Sequence, residues 1–347
     1  MVDAATIGRA LAVLMPIAVL AGLLTAGVIV LGWPWLKTYA LARPNLRSSH
    51  HRPTPQGGGI VIIIATLAIA WGVVAVLPPF AANEIEQFLA VTAAALLLAV
   101  VGAIDDLWTL PRAPRLALQL LAVGGVIASL PSGLQLLPVL PWWVERVGLL
   151  LGGVWLVNLV NFMDGIDWIT VSEVVPVTGA IVAAGVCGAI EQLPSLVAAI
   201  LLGAIVGFAP FNKPVAKLFI GDVGSLPIGL LLGWLLLRLA GSGYLIAALI
   251  LPLYYLADAT ITLARRIARG EPFWEAHRTH FYQQATDNGF TIPEIVNRIF
   301  LVNIGLSALA LATIAAHRLE VSLAALVFSG LLVAWLLMIF ARKRRES

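Results

Sequence analysis

Five aspartates, Asp105, Asp106, Asp164, Asp167 and Asp222, stand at or within a turn or two of the ends of long apolar runs, delivered by three separate segments. Ionisable groups so close to apolar spans are costly and mark sites or cavities. The first segment, Gly102-Ala-Ile-Asp105-Asp106-Leu-Trp-Thr-Leu-Pro-Arg112, holds two adjacent acids. Neighbours on a helix point about 100° apart, so one can face a cation while the other faces a second substrate; a solvated helix end is the plain alternative. In the second segment Asn158, Asn161, Asp164 and Asp167 recur every third residue, a slowly drifting polar stripe on an apolar helix end. Two amides and two carboxylates suit a hydrated cation or the hydroxyls of a nucleotide and sugar, and packed helices would use the same groups to hydrogen-bond one another. The third, Phe219-Ile-Gly221-Asp222-Val-Gly224-Ser225, sets two glycines around an acid where a helix begins. Close backbone approach and free amides favour phosphate or a metal–phosphate unit there; a glycine-rich N-cap without ligand has the same sequence.

Two basic segments complement the acids. His277-Arg278-Thr-His280-Phe-Tyr282-Gln283 places two histidines one turn apart around an arginine. No third soft ligand for zinc stands near, and Cys187 is the only cysteine, so phosphate recognition is the better reading. Cys187 itself lies in an apolar run and is expected to be a small buried residue. Upstream, Arg43-Pro-Asn45-Leu-Arg47-Ser-Ser-His50-His51-Arg52 leads into Pro55-Gln-Gly57-Gly58-Gly59. Cations followed by glycine amides suit an anionic head group, and a basic anchor loop has the same composition.

The elements that must position these groups are membrane spans. Of 347 residues, 61% are hydrophobic and 11% charged, against about 45–50% and about 25% in soluble domains. A net charge of +3 would fit a nucleic-acid binder only if it were clustered, and it is spread over short loops. A bilayer core takes about 20 apolar residues per helix. Eleven runs meet that ruler, near 10–32, 58–78, 88–104, 116–136, 146–160, 170–190, 194–210, 223–240, 243–262, 297–316 and 321–341, the fifth and seventh being short. The expectation is an all-α, polytopic membrane helix bundle of about eleven transmembrane helices, a single integral-membrane domain over 1–347. Alternate loops hold 17 of the 21 Lys and Arg residues. The positive-inside rule makes that side cytoplasmic, with the N-terminus outside and the C-terminus inside. The acidic and basic motifs then share one face, in loops at about 33–57, 105–115, 158–169, 211–222 and 263–296.

Carboxylates on one face, a glycine-rich turn and a His/Arg loop imply phosphoryl chemistry with a divalent metal, Mg²⁺ or Mn²⁺, held by one or two carboxylates and the substrate's own phosphates. These motifs, in this order over residues 43–283, resemble the polyprenyl-phosphate N-acetylhexosamine-1-phosphate transferases. The resemblance implies a UDP-N-acetyl sugar and undecaprenyl phosphate as substrates, UMP as leaving group, and a multi-pass protein of the bacterial inner membrane whose active site faces the cytoplasm; a homodimer is compatible with it. It further implies Asp222 as a metal ligand with Asp164, and Asp105 or Asp106 acting on the lipid phosphate. Asn161, Asp164 and Asp167 would hold metal or the uridine–sugar part, and His277, Arg278 and His280 the diphosphate, with Asn45, Arg47, His51, Asn158 and Lys217 as further substrate-binding residues. Direct attack and a phosphoryl-enzyme route both stay open. His277-Arg278-Thr-His280 lacks the triple histidine of the peptidoglycan branch and is more similar to enzymes that initiate O-antigen, hence lipopolysaccharide, synthesis. Trp168 stands where the family usually has glycine, which bears on the local turn and on sugar preference. The rival class, an ion-coupled transporter, would place its acids near the midplane on broken helices; only Asp258 approaches that position.

Overall fold

The computed structural model describes residues 3–39, 41–42, 54–77, 80–108, 110–272 and 277–344. Asn45, Arg47 and His51 lie outside the described residues. Among those described, the chain is helical apart from one two-residue ladder, β1 (Leu41–Ala42) antiparallel to β2 (Thr54–Pro55). The helices are α1 (Ala4–Tyr39), α2 (Gly58–Val76), α3 (Ala82–Trp108), α4 (Arg112–Ala128), α5 (Trp142–Met163), α6 (Ile169–Val186), α7 (Gln192–Asn212), α8 (Asp222–Leu239), α9 (Leu245–Ile250), α10 (Leu253–Ala268), α11 (Phe281–Asp287), α12 (Ile292–Ala316) and α13 (Leu319–Ala341).

Nine segments among the described residues are long and apolar enough to cross a membrane, against the eleven expected. The difference has two local causes. α4, with 17 residues, is at the short end for a span, yet its start meets the end of α3 and the end of α5 at one face, so it still runs between the two faces. The expected ninth run is broken: α8 continues through a π turn at Ala240–Tyr244 into α9, and Gly243 at φ 94° absorbs a kink that residues with a Cβ rarely adopt. α10 starts after Pro252, at the next bend.

Lipid supplies no hydrophobic drive between helices, so close packing depends on small residues. Along α1 and α7, a Cβ at Gly203 would fall 1.9 Å from the Ala18 carbonyl oxygen, and one at Gly207 2.2 Å from that of Gly22. α8 is the most deeply buried span and packs against α3 on one side and α5 on the other. At its first turn the glycines decide where the site lies. A Cβ at Gly102 would meet the Asp222 carbonyl oxygen at 2.2 Å, and one at Gly59 would meet Gly224 Cα at 2.2 Å. The last turn of α3 and the first turn of α2 therefore converge on the start of α8. Cys187, expected to be buried, is exposed where α6 ends.

An apolar hollow of about 280 Å³ opens between α4, α5, α8, α9 and α10, floored by Gly152, Gly153, Gly229 and Gly233.

Candidate active site

The carboxylates divide their work along α3. Asp106 caps α8: its oxygens accept the backbone N–H groups of Asp222 and Val223 at 3.0 and 3.1 Å. The amides expected to be free for phosphate at this helix start are thus taken by a side chain. A carboxylate there is favoured by the helix dipole and by the unpaired first-turn donors. Gly221, at φ 76°, makes the approach possible, since a Cβ on it would lie 2.7 Å from Asp106 Oδ2. Asp105 turns the other way. It accepts the Leu110 N–H at 2.6 Å and the Arg115 guanidinium at 2.5 Å.

Arg115, one of the basic residues of the 105–115 loop, is the hub. Its second nitrogen donates to Asn161 Oδ1 at 3.1 Å, and Nη1 lies 3.5 Å from Asp222 Oδ2. Asn161 donates in turn to Asp222 Oδ1 at 2.8 Å and to Ser225 Oγ at 2.9 Å. Four helices, α3, α4, α5 and α8, therefore meet in one network of Asp105, Arg115, Asn161, Asp222 and Ser225. Asp222 keeps 29% of its side chain exposed, which leaves a carboxylate edge open to a ligand. The sequence signal for Arg115 was its place in the first turn of α4, ten residues after Asp105.

The polar stripe on α5 splits. Asn158, one turn deeper, bonds Gln119 of α4 at 2.7 Å and its own helix at Val154 O, so it joins helices. Asp164 ends α5 and accepts Thr170 Oγ1 at 2.5 Å. Burial pushes its carboxyl up to about 6, helped by the nearby charges of Asp106 and Asp167 and opposed by the Thr170 bond. Asp167 is buried and accepts the Ala216 N–H at 2.9 Å. It anchors the loop before α8. Trp168 begins α6 at φ 63°, donating its N–H to Asn212 Oδ1 and its indole N–H to Ala209 O, both on α7. Its polar edge is spent on a neighbouring helix.

The histidine loop is held from below by Asp258. That fully buried carboxylate takes the backbone N–H groups of Phe281 and Tyr282 at 3.0 and 3.2 Å, lies 3.2 Å from His280 Nδ1, and is also bonded by Tyr254 and Thr262. A mid-helix acid that could have coupled ion flow is thus committed to capping α11. His280 is buried between the rings of His277 and Tyr282, at centroid distances of 4.9 and 5.7 Å. Arg278 is only weakly tied, to Thr286 and Asp287 at 3.4 and 3.7 Å. The Tyr282 hydroxyl donates to Phe162 O at 3.2 Å, and Gly165 must be glycine because a Cβ would sit 2.1 Å from that hydroxyl. Tyr282 therefore locks the histidine loop onto the turn that carries Asp164. Lys217 stands apart, on a groove between α1 and α7.

Among the described residues no three His, Cys, Asp or Glu side chains gather closely enough to cage a metal alone. Mg²⁺ does not need such a cage: one or two carboxylates with water and substrate phosphates suffice. The hard oxygens of partly exposed Asp222 fit that requirement.

A multi-helix membrane protein with a carboxylate–arginine–amide network and a histidine loop at one end is the class these features define. The model of glycosyl transferase family 4 matches residues 88–240. The chain is 32% identical over 240 residues to the "Phospho-N-acetylmuramoyl-pentapeptide-transferase" of Streptococcus pneumoniae, covering 62% of this chain and 71% of that one. It is 26% identical over 280 residues to a Bacillus subtilis protein named "Probable undecaprenyl-phosphate N-acetylglucosaminyl 1-phosphate transferase", covering 77% and 75%. It is 25% identical over 302 residues to the "Decaprenyl-phosphate N-acetylglucosaminephosphotransferase" of Mycobacterium leprae, covering 76% and 74%. The chain belongs to glycosyl transferase family 4, and within it to the membrane-embedded phosphosugar transferases.

Proposed function

We propose that this chain transfers an N-acetylhexosamine 1-phosphate from its UDP-sugar to undecaprenyl phosphate, releasing UMP, with the site facing the cytoplasm of a bacterial inner membrane. The observation that carries this reading is the Asp105–Arg115–Asn161–Asp222 network at the start of α8, on a chain whose relatives are named for this reaction. Over the whole reaction an oxygen of the lipid phosphate gains a bond to the sugar-bearing phosphorus and the bond from that phosphorus to UMP breaks, by direct attack or by way of a phosphoryl-enzyme. The products are a lipid-linked diphospho-sugar and UMP.

Asp222 and Asp164 would hold Mg²⁺, which neutralises charge on the donor diphosphate as transfer proceeds. Arg115 orients Asp222 and Asn161, and Asp105 orients Arg115. Asp106 holds the start of α8 in register with α3. His277, Arg278 and His280 supply donors for the diphosphate, fixed against the Asp164 turn by Tyr282. The apolar hollow beside α5 and α8 offers the acceptor's prenyl chain a dry wall. A cytoplasmic site is supported by the 17 basic residues of the site-bearing side against 4 on the other.

Two relatives name N-acetylglucosamine, which supports UDP-GlcNAc as donor. O-antigen as the glycan that the product enters rests on the His277-Arg278-Thr-His280 pattern. The test is incubation of purified protein with Mg²⁺, undecaprenyl phosphate and a panel of UDP-N-acetyl sugars. UMP release that needs both a UDP-sugar and the lipid phosphate is expected; release from none of the panel would remove the proposal.

A further inference from the structure

A second feature lies outside this site. The ends of α1 and α7 leave a groove of about 450 Å³ lined by Val30, Trp33, Pro210, Phe211 and Lys217. Its floor is aromatic, with the rings of Trp33 and Phe211 6.2 Å apart. A second cation sits on that floor: Lys37 Nζ lies 5.3 Å over the Trp33 ring. Both lysines are exposed, and neither forms an ion pair with another described residue.

The height of the groove in the bilayer follows from helix lengths. α7 has 21 residues, about 31 Å at 1.5 Å per residue, which matches the hydrocarbon thickness of about 30 Å. Its last turn, Pro210–Asn212, therefore marks the boundary of the hydrocarbon. α1, with 36 residues, runs past that boundary, and Trp33 and Lys37 lie in the head-group layer. Aromatic rings and lysines at that level are what an anionic lipid head group meets. The apolar wall of Val30 and Phe211 below them suits acyl chains.

We infer that this groove is a binding site for an anionic glycerophospholipid, its head group on Lys37 and Lys217 and its acyl chains along α1 and α7. The reactive acceptor is the wrong occupant on geometric grounds. The segment after Lys217 pairs with the start of α2, Gly58 N–H to Phe219 O at 2.9 Å and Gly59 N–H to Ile220 O at 3.0 Å. Phe208 and Leu218 close against Gly58. A phosphate on Lys217 is thus walled off from Asp222 by α2 and the buried Leu218 and Ile220. Lys217 changes role, from substrate contact to lipid anchor.

The experiment uses the full chain in phosphatidylcholine nanodiscs containing one fifth phosphatidylglycerol, with retained lipid counted by native mass spectrometry. Wild type should retain phosphatidylglycerol in preference to phosphatidylcholine. Each of Lys37→Gln and Lys217→Gln should cut that preference about 5-fold, and the pair about 25-fold. Val30→Trp, which fills the groove, should remove the retained phosphatidylglycerol with both lysines intact. Added undecaprenyl phosphate should leave it in place. Equal retention by the double variant and wild type would overturn the inference, as would one-for-one displacement by undecaprenyl phosphate, which would make the groove an acceptor site. Neither result bears on whether UMP is released, so this inference and the proposed reaction fail separately.

Discussion

Replacing Gly102 by alanine adds one methyl group at the point where α3 touches α8. That methyl would lie 2.2 Å from the Asp222 carbonyl oxygen, 2.3 Å from its carbon and 2.5 Å from Val223 N. Reaching ordinary contact at 3.4 Å requires the two helices to part by about 1.2 Å, since backbone cannot rotate away as a side chain can. The bonds from Asp106 to the amides of Asp222 and Val223, now 3.0 and 3.1 Å, would then stretch beyond hydrogen-bond range. Each such charge-assisted bond contributes about 1.5–3 kcal/mol. The larger effect falls on catalysis, because a displacement of about 1 Å at a reacting group costs about 100-fold in rate. Gly102→Ala should therefore lower kcat/KM for UMP release by about 100-fold while the protein still inserts in membranes. Gly72→Ala, on α2 with open space around it, should stay within about two-fold, as helix propensity favours alanine there. Activity of Gly102→Ala within two-fold of wild type would refute the claim that α3–α8 contact sets the site.

Four further outcomes follow from the same geometry. Arg115→Lys keeps the charge but loses the forked reach to Asp105, Asn161 and Asp222; a loss of at least about 30-fold in kcat is expected, and wild-type turnover would remove Arg115 from the network's centre. Activity should vanish in excess EDTA and return with Mg²⁺ or Mn²⁺; full turnover in EDTA would dismiss the metal. Burial holds the Asp164 carboxyl up at about 6 when no metal is bound, so Mg²⁺ affinity, and the activity that depends on it, should fall as pH drops through that value because protons compete with the cation. Stability should change in the opposite sense, because a group whose folded pKa is raised binds its proton more tightly in the folded state. Thr170→Val removes a bond that lowers this pKa, and the acid limb of the rate profile should move to higher pH; an unmoved limb would assign it to another group. Trp168→Gly relieves a left-handed backbone but loses two bonds to α7. UDP-GlcNAc and its 6-deoxy relatives should be used in the same ratio as by wild type, and a changed ratio would return Trp168 to the sugar pocket.

Much of this architecture was legible because lipid imposes strict grammar. Apolar runs about 20 residues long had to be helices, and acids gathered at their ends on one side had to be sheltered or used. Hence the start of α8, the polar end of α5 and the histidine loop could all be placed before any coordinates. The division of labour within them could not. Asp105 and Asp106 are neighbours with indistinguishable sequence contexts, yet one grips Arg115 and the other caps a helix 116 positions away. Asp258 lies in plain apolar sequence, and its use is set by amides 23 and 24 residues downstream. The kink at Gly243 likewise reflects local backbone geometry, which hydropathy does not see. Trp168 was legible as a departure but not in direction, since only the position of α7 shows where its indole points.

If the network at the start of α8 carries the proposed phosphosugar transfer, Asp222 cannot be dispensed with. Lipid-linked sugar phosphate and UMP are measured in the same reaction, with Mg²⁺, UDP-GlcNAc and undecaprenyl phosphate, for wild type and for Asp222→Asn in matched nanodiscs. Wild type should form the two products in equal amounts, and Asp222→Asn, still folded and inserted, should form neither at more than about one hundredth of that rate. Wild-type turnover by Asp222→Asn, or lipid product formed without UMP, would contradict it.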